Sequence, residues 1–306
     1  VLIDLYAPSH IILNEPVKPG VIYAMPVRGQ RQFVDGTGSF EGEMDFWKSQ
    51  QGTFAVNVPM NFSGKTYISE GTLEVNSTVA GDVELRARGT LAGNATLMGG
   101  LLLEGALNYE GGRLSPGTET EPYGTITLKK GLTVGKRLFY EANIEDEGDA
   151  TVLPKTDRLV IEGDLSVTQP LVINVRTVGT KLQPGEYSLI TFTGEFKGKA
   201  ENITVMGLEG LSYNIKVEDG TVRLVINEQR QAAEGVRWTG AAGTVWDYQS
   251  ESWQLNSDAT EFVAGDKVVF GDDAQRTTIQ MEYDLMGNRT LLNDPDLGTV
   301  TSVYNA

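Results

Sequence analysis

The sequence predicts an all-β protein: a right-handed parallel β-helix (a solenoid) followed by a β-rich, sandwich-like C-terminal extension. Three observations predict this class. Helical periodicity is nearly absent, short segments rich in valine, leucine, isoleucine and threonine recur along the chain, and 36 of the 306 residues are glycine. That share is well above the usual value of about 7%. Glycine between strand-forming segments indicates a chain that turns a corner every few residues.

A short repeat favours a solenoid over a β-sandwich or jelly roll, the alternative for many short strands. The tripeptide GTL begins at Gly71 and Gly89, is echoed by GAL at Gly105, and returns as GTI at Gly124. These intervals of 18, 16 and 19 residues suit one turn of a stacked β structure. Right-handed crossings, which parallel strands strongly prefer, predict the handedness.

The elements follow in four segments: 1–50, 51–150, 151–227 and 236–306. The first is expected to cap the solenoid, because an uncovered end exposes strand edges and core. Alternatively, this segment forms the edge of a binding site, because it carries a patch of charged and aromatic residues. They are Arg28, Arg31, Asp35, Glu41, Glu43, Asp45 and Trp47. The second segment is the β-helix ladder, the third a closing β section with longer strands, and the fourth a small β extension.

Charge and composition exclude several functions. The formal net charge is −16, which argues against binding to nucleic acid. The absence of cysteine excludes disulfides and thiol catalysis, and with a single histidine a zinc site is nearly excluded. No apolar run approaches the 18 or more residues of a membrane span, so direct membrane insertion by this segment is not predicted.

The glycine-rich ladder resembles a known family. The stretches GTLEVNSTVAGDVELRARGTLAGN, GGRLSPG and TDRLVIEGDLSV, within residues 50–227, resemble the passenger β-helix of bacterial autotransporter-type surface proteins. The resemblance implies an exported module at the cell surface, associated with the outer membrane. Such patterns specify architecture better than activity.

Two further resemblances lie in the last segment. Residues 236–274, with WTG and WD motifs, are similar to a repeat that accompanies autotransporter passengers. Its tryptophans Trp238, Trp246 and Trp253 are expected to form a small β core, or alternatively a platform that stacks sugars. Residues 281–306 resemble a single YD repeat of Rhs-type proteins, and its spacing is met by Tyr283, Asp284, Gly287, Asn288, Asp294, Pro295, Gly298 and Tyr304.

No catalytic residue is predicted. The single histidine, His10, has no evident serine or acid partner in the sequence, and the common nucleophile, metal and nucleotide motifs are absent. Some β-helix enzymes act through clustered carboxylates, which would have to share one face. The acidic residues of the ladder do not recur at equivalent positions of the repeat. They are Glu74, Asp82, Glu84, Glu104 and Glu110.

The densest acidic stretch suggests a Ca²⁺ loop. Glu145, Asp146, Glu147 and Asp149 surround Gly148, and carboxylates around a glycine are typical Ca²⁺ ligands. The spacing does not match an EF-hand, so a solvated acidic loop is the alternative. No other cofactor is predicted.

Together these features predict a non-catalytic stalk or display scaffold with an adhesive role. Its expected partners are a glycan or host-surface ligand and neighbouring copies of itself. Two alternatives stay open: an accessory or catalytic β-helix of a polysaccharide lyase or glycoside hydrolase, and a spacer segment of a large Rhs-type protein.

Overall fold

The computed structural model describes residues 2–3, 9–105, 111–148, 152–178, 182–208, 210–271 and 274–275. Within these residues the chain is all-β, with one short 3₁₀ turn at Ala200–Asn202. None of the helical structure in the described ranges is long and apolar enough to cross a membrane. The chain divides into two compact units, the first comprising Val1–Leu208 with Ile215–Val225, and the second Glu209–Asn214 with Ile226–Ala306.

The strands are short and follow one another closely. In chain order they are β1 (Leu2–Ile3), β2 (His10–Ile12), β3 (Val21–Ala24), β4 (Arg31–Asp35), β5 (Asp45–Lys48), β6 (Thr53–Val56), β7 (Thr66–Val75), β8 (Thr78–Val79), β9 (Val83–Gly93), β10 (Thr96–Leu97), β11 (Leu101–Glu104), β12 (Gly112–Pro116), β13 (Thr125–Leu128), β14 (Leu132–Val134), β15 (Leu138–Glu145), β16 (Lys155–Thr156), β17 (Arg158–Ile161), β18 (Leu165–Val167), β19 (Leu171–Thr177), β20 (Gly185–Phe192), β21 (Phe196–Gly198), β22 (Ile203–Met206), β23 (Tyr213–Glu218), β24 (Thr221–Ile226), β25 (Glu234–Trp238), β26 (Trp253–Leu255), β27 (Asp258–Thr260) and β28 (Lys267–Val269).

Parallel pairing dominates the first unit. The largest sheet runs in the order β1-β3-β5-β7-β9-β12-β15-β19-β22, and β2-β4-β6-β7 joins it as a branch. A second sheet has the order β23-β24-β20-β17-β13-β10-β8, and a third the order β14-β18-β21. Among β1 to β22 of the described chain, the short β15–β16 pair is the one antiparallel strand pairing. The chain therefore leaves a sheet, contributes to another, and returns beside its earlier strand.

The structure confirms part of the predicted repeat and corrects the rest. Gly71, Thr72 and Leu73 of β7 pair directly with Gly89, Thr90 and Leu91 of β9, as the interval of 18 residues predicts. The predicted echoes at Gly105 and Gly124 are not equivalent to Gly71 and Gly89 in the structure. Gly105 follows β11, which pairs with the first half of β9, and Gly124 precedes β13 in another sheet. The equivalent of GTL is GRL at Gly112, because Arg113 and Leu114 pair with Thr90 and Leu91.

A ladder of apolar side chains forms the core of the first unit. Equivalent positions on successive strands are occupied by Phe54, Leu73, Leu91, Leu114, Tyr140 and Ile173. Each of these side chains is fully buried, and complete burial of such a side chain stabilises a fold by about 1.5–3 kcal/mol. Tyr140 fits this row because its hydroxyl donates to the Leu189 carbonyl at 3.2 Å.

A polar ladder accompanies the core where β4, β6, β7 and β9 end. Asn57 donates through Nδ2 to Asp35, and its Oδ1 accepts from Asn76 Nδ2 at 2.8 Å. Asn76 Oδ1 then accepts from the Asn94 backbone N–H at 3.1 Å, and Asn94 Oδ1 accepts from the Thr125 N–H at 2.9 Å. Each amide thus satisfies groups on the neighbouring layer, where the backbone leaves the sheet.

Strand pairing in the first unit continues across residues 50 and 150. Residues before 50 contribute β3, which pairs in parallel with β5, then β5, which pairs in parallel with β7, and β4, which pairs with β6. This stretch therefore extends the parallel sheets of the ladder. Strands after residue 150 also extend the sheets, since β17 pairs with β13 and β19 with β15. The second unit has its own sheet, in the order β27-β26-β25-β28, with both antiparallel and parallel pairs.

Candidate functional site

Three aromatic side chains form a strip on the outer face of the largest sheet. Tyr23 on β3, Trp47 on β5 and Tyr67 on β7 occupy paired positions on neighbouring strands. Their neighbours along the strands, including Phe46 and Ile68, are fully buried on the opposite face, as strand alternation requires. The Trp47 and Tyr67 rings stack with centroids 3.9 Å apart, and Tyr23 lies 6.5 Å from Trp47. Tyr23 is 43% exposed, so the strip ends in an accessible ring.

An ion pair on β9 borders the aromatic strip. The Arg86 guanidinium lies 5.5 Å from the Trp47 ring centroid and 5.7 Å from that of Tyr67, within cation–π range. The same guanidinium donates to Glu84 Oε1 through Nε at 2.8 Å and through Nη2 at 2.7 Å. Glu84 is the register partner of Tyr67, so the strip continues directly into charged groups.

Lys48 fixes the turn that follows the strip on β5. Its side chain is fully buried on the inner side of the strand. The ammonium donates to the carbonyls of Ser49 at 3.0 Å, Gln50 at 2.7 Å and Glu70 at 2.8 Å, which uses all three N–H groups. Burial lowers the pKa of Lys48 to about 8. Its role is structural, because its donors are committed to the backbone that orients β5 and β7.

A groove of about 350 Å³ lies beside the strip. It forms where hydrogen bonding of this face is interrupted: within the described strands, β11 pairs with β9 and β14 with β18, and β11 and β14 do not pair with each other. The groove is lined by Lys65, Asp82 and Glu84 on one side and by Lys130, Gly131 and Thr133 on the other. A shallower depression of about 510 Å³ shares Glu84 and includes Ser69, Arg86, Arg88 and Glu104.

Protein donors already engage the two acids of the groove. Asp82 Oδ1 accepts from the Gly100 N–H at 2.8 Å, and Glu84 is held by Arg86. The structure therefore brings Asp82 and Glu84 to one face, with Glu104 in the adjoining depression. Glu74 lies elsewhere and pairs with Arg31 at 2.7 Å. Glu110 lies outside the described residues.

The predicted Ca²⁺ ligands have protein partners. Glu145 pairs with Lys155 at 3.1 Å, and Glu147 lies 3.7 Å from the same ammonium. Asp146 accepts from Tyr187 Oη, from the Gly148 N–H at 2.9 Å and from the Gln183 N–H at 3.3 Å. Burial raises the pKa of Asp146, but these hydrogen bonds outweigh it and leave the pKa below its usual value. Asp149 lies outside the described residues, and a Ca²⁺ site stays a prediction.

The three predicted ligand-binding tryptophans meet in the second unit. Trp238 and Trp253 are buried, with ring centroids 5.0 Å apart in an edge-to-face contact. Trp246 is half-buried and contacts Trp253 at 4.9 Å. This is the small β core that the sequence favours, and Trp246 is the member with accessible surface. Sugar stacking at these residues stays a prediction.

The remaining sequence candidates are placed as follows. His10 lies on β2 with Nε2 3.0 Å from Asp35 Oδ2, and its ring stacks on Phe33 at 4.3 Å. It therefore adjoins the polar ladder at Asp35 and lies away from the strip and groove. The YD-like segment, 281–306, lies outside the described residues.

Sequence reasoning missed Tyr23 and Tyr67 as partners of Trp47. The available signal is an aromatic residue in three alternate β segments, VIYA, DFWK and TYIS, each beside a buried apolar residue. The intervals of 24 and 20 residues are unequal, so a fixed-period search does not align them. The groove carries no sequence signal, because it depends on where hydrogen bonding between strands stops.

Comparison with known proteins assigns no family. No protein-family model and no curated protein matches the chain. The resemblances to autotransporter passengers and to Rhs repeats therefore remain predictions from motifs. The aromatic strip and the groove are the features of the structure that bear on function.

Proposed function

We propose that this protein is a right-handed parallel β-helix that acts as a non-catalytic, adhesive scaffold on the bacterial cell surface. In this proposal the chain is exported and associated with the outer membrane, and the aromatic strip with the groove binds polysaccharide. The observation that carries the binding role is the alignment of Tyr23, Trp47 and Tyr67 on one face, directly beside a groove.

The strand order supports the β-helix. From β7 the chain passes to β8 in the second sheet and returns to β9, which pairs with β7; it then passes to β10, which pairs with β8. Stacking continues through β13, β17 and β20 in the second sheet and through β14, β18 and β21 in the third. A chain that visits sheets in rotation and pairs each strand with its earlier equivalent is typical of a solenoid.

The chemistry of the face supports carbohydrate as the ligand. Sugar rings have apolar C–H faces and polar edges, so they favour surfaces where aromatic rings adjoin hydrogen-bonding groups. Tyr23, Trp47 and Tyr67 provide the rings, and lysine, threonine and carboxylate groups line the adjoining groove. Neighbouring strands lie about 4.7–4.9 Å apart, so a strip that crosses three strands offers an extended surface to a polymer.

Aromatic stacking also stabilises pairing of adjacent strands, so binding must be tested separately from folding. We expect Tyr23→Ala to weaken polysaccharide binding by about tenfold, because loss of an exposed aromatic contact costs on the order of 1–2 kcal/mol. Binding is measured by affinity electrophoresis and calorimetry of the full chain against plant, bacterial and host polysaccharides. Ile12→Ala is the matched control, since Ile12 is an exposed apolar residue of the same unit.

The outcomes separate the hypotheses. Loss of binding in Tyr23→Ala with unchanged thermal unfolding supports the proposal, whereas equal binding by both variants contradicts it. Asp82 and Glu84 share the groove, so the screen also measures shortening of each polymer with and without Ca²⁺. Depolymerisation would replace the scaffold by the enzymatic alternative. The Rhs-type spacer predicts no saccharide binding at all.

A further inference from the structure

We infer that the groove selects an anionic polysaccharide, whose carboxylate or sulfate groups bind between Lys65 and Lys130. This inference rests on the proposed function and names the ligand class for the same face. The two lysines approach the groove from different parts of the chain, Lys65 just before β7 and Lys130 just before β14.

These two lysines differ from most cations of the described chain. Twelve lysine and arginine side chains elsewhere are committed to acids or to the backbone: Lys48, Arg31, Arg86, Arg113, Lys129, Lys155, Arg176, Lys197, Lys216, Arg223, Arg230 and Lys267. In the part of the chain that the structure describes, neither Lys65 nor Lys130 lies within ion-pair distance of an acid. Both are exposed.

The acids of the groove do not cancel this charge. Glu84 is paired with Arg86 at 2.7 Å, and Asp82 commits one oxygen to the Gly100 N–H. The groove thus contains the unpaired ammonium groups of Lys65 and Lys130 and one carboxylate, Asp82, that has no cationic partner among the described residues. Its net charge is therefore positive. In a chain of net charge −16, most of the surface repels an anionic polymer, so a local excess of positive charge defines where one binds.

The aromatic strip and the lysines divide the recognition between them. The exposed ring of Tyr23, with the outer edges of the stacked Trp47 and Tyr67 rings, contacts the apolar faces of sugar rings, which neutral and acidic polymers share. Lys65 and Lys130, with the exposed Thr133 hydroxyl, contact the charged substituent. Charge complementarity contributes more to specificity than to total affinity, so the lysines are expected to set the choice of polymer.

The test uses one polymer in two charge states. Polygalacturonate and its fully methyl-esterified form have the same backbone, and the ester lacks the negative charge. We expect the full chain to bind the acid form at least about tenfold more tightly at low salt, and Lys65→Gln/Lys130→Gln to remove most of that preference, since each exposed ion pair contributes up to about 1 kcal/mol. Added salt should weaken binding of the acid form and leave binding of the ester unchanged.

The control variant is Lys18→Gln/Lys199→Gln, which removes the same charge from two exposed lysines away from the groove. Equal affinity for the two polymer forms would overturn the inference and leave the proposed function intact. An acid preference that survives Lys65→Gln/Lys130→Gln would also overturn it. Absence of binding to both forms and to every polymer of the wider screen would overturn the proposed function together with the inference.

Discussion

At the scale of single residues, three buried charged side chains are each held by several donors or acceptors at once. Lys48 donates to three carbonyls, and Asp146 accepts from one hydroxyl and two backbone N–H groups. Glu141, also buried, accepts from Arg113, Arg176 and Asn174. Such satisfaction is what permits charge inside a β structure. Each of these residues is therefore a structural requirement of the layer in which it lies.

Asp157 is the residue from which we predict a pH dependence. Its side chain is fully buried, and its oxygens accept from the Gly124 N–H at 2.8 Å and from the Asn143 N–H and Nδ2 at 2.9 and 2.8 Å. Burial outweighs these bonds and raises the pKa of Asp157 to about 6 from an ordinary value of 3.8. Because the folded state then holds the proton more tightly, the contribution of Asp157 to stability is largest below pH 3.8 and is lost as the pH rises through 6.

The measurement compares wild type with Asp157→Asn in urea unfolding at pH 4 and pH 7. We expect the free energy of unfolding of the wild type, relative to the variant, to fall by up to about 3 kcal/mol between the two pH values. Because wild type and variant share all other titrating groups, the difference between their unfolding free energies isolates the effect of Asp157. A constant difference, or one that grows with pH, would contradict the raised pKa and show that the three hydrogen bonds dominate.

At the scale of elements, the stacking of equivalent strands is maintained by two different ladders. Apolar side chains fill the interior, and the ladder of Asp35, Asn57, Asn76 and Asn94 joins successive layers where strands end. Asn76 occupies the middle of this ladder. It donates to Asn57 at 2.8 Å and accepts from the Asn94 N–H at 3.1 Å, so it connects three layers.

We predict that Asn76→Ala destabilises the first unit by about 1 kcal/mol, because the Asn94 N–H and the Asn57 side-chain carbonyl each lose a hydrogen bond at an exposed position. The matched control is Asn61→Ala, at an exposed position, where the expected change is within about 0.5 kcal/mol. Chemical denaturation monitored by far-UV circular dichroism measures both. Equal stability of the two variants would show that the hydrogen bonds of the amide ladder are no more favourable than hydrogen bonds of the same groups to water.

The sequence predicts these elements only in part. Strand content and the pairing of Gly71 with Gly89 follow from residue type and from the recurrence of Gly-Thr-Leu after 18 residues. The next equivalent position, Gly112, is 23 residues from Gly89. Because the number of residues between equivalent positions changes from layer to layer, the sequence alone does not show which positions pair. The aromatic strip and the groove escape detection for the same reason, since both depend on which positions become neighbours after stacking.

At the scale of the whole molecule, the two units are stabilised by different means. The first depends on repeated layers, whereas the second depends on a compact aromatic cluster and a buried ion pair. Asp266, whose side chain is fully buried, contacts Arg230 through both oxygens at 2.7 and 2.6 Å. It also accepts from the Ala233 and Val263 N–H groups at 2.9 and 2.8 Å. This pair connects the segment before β25 to the loop before β28.

We predict that Arg230→Met destabilises the second unit by about 3 kcal/mol or more, because it leaves the Asp266 carboxylate buried without its cation. Hydrogen–deuterium exchange should accelerate in peptides covering β25 to β28. Lys267→Met is the control, since it removes an exposed ion pair with Glu234, and such pairs contribute little. Exchange that is equally slow in both variants would exclude a structural role for the buried pair.

The direct pairing of Gly71–Leu73 with Gly89–Leu91 has a consequence for how such a chain changes length. Removing residues 71–88 would join Glu70 to Gly89, the partner of Gly71, and would leave the same Gly-Thr-Leu sequence at the junction. One layer is therefore an exchangeable unit at the level of the gene as well as of the fold. Deletion or duplication of a single 18-residue block would remove or add one layer of paired strands while each remaining strand keeps an equivalent neighbour.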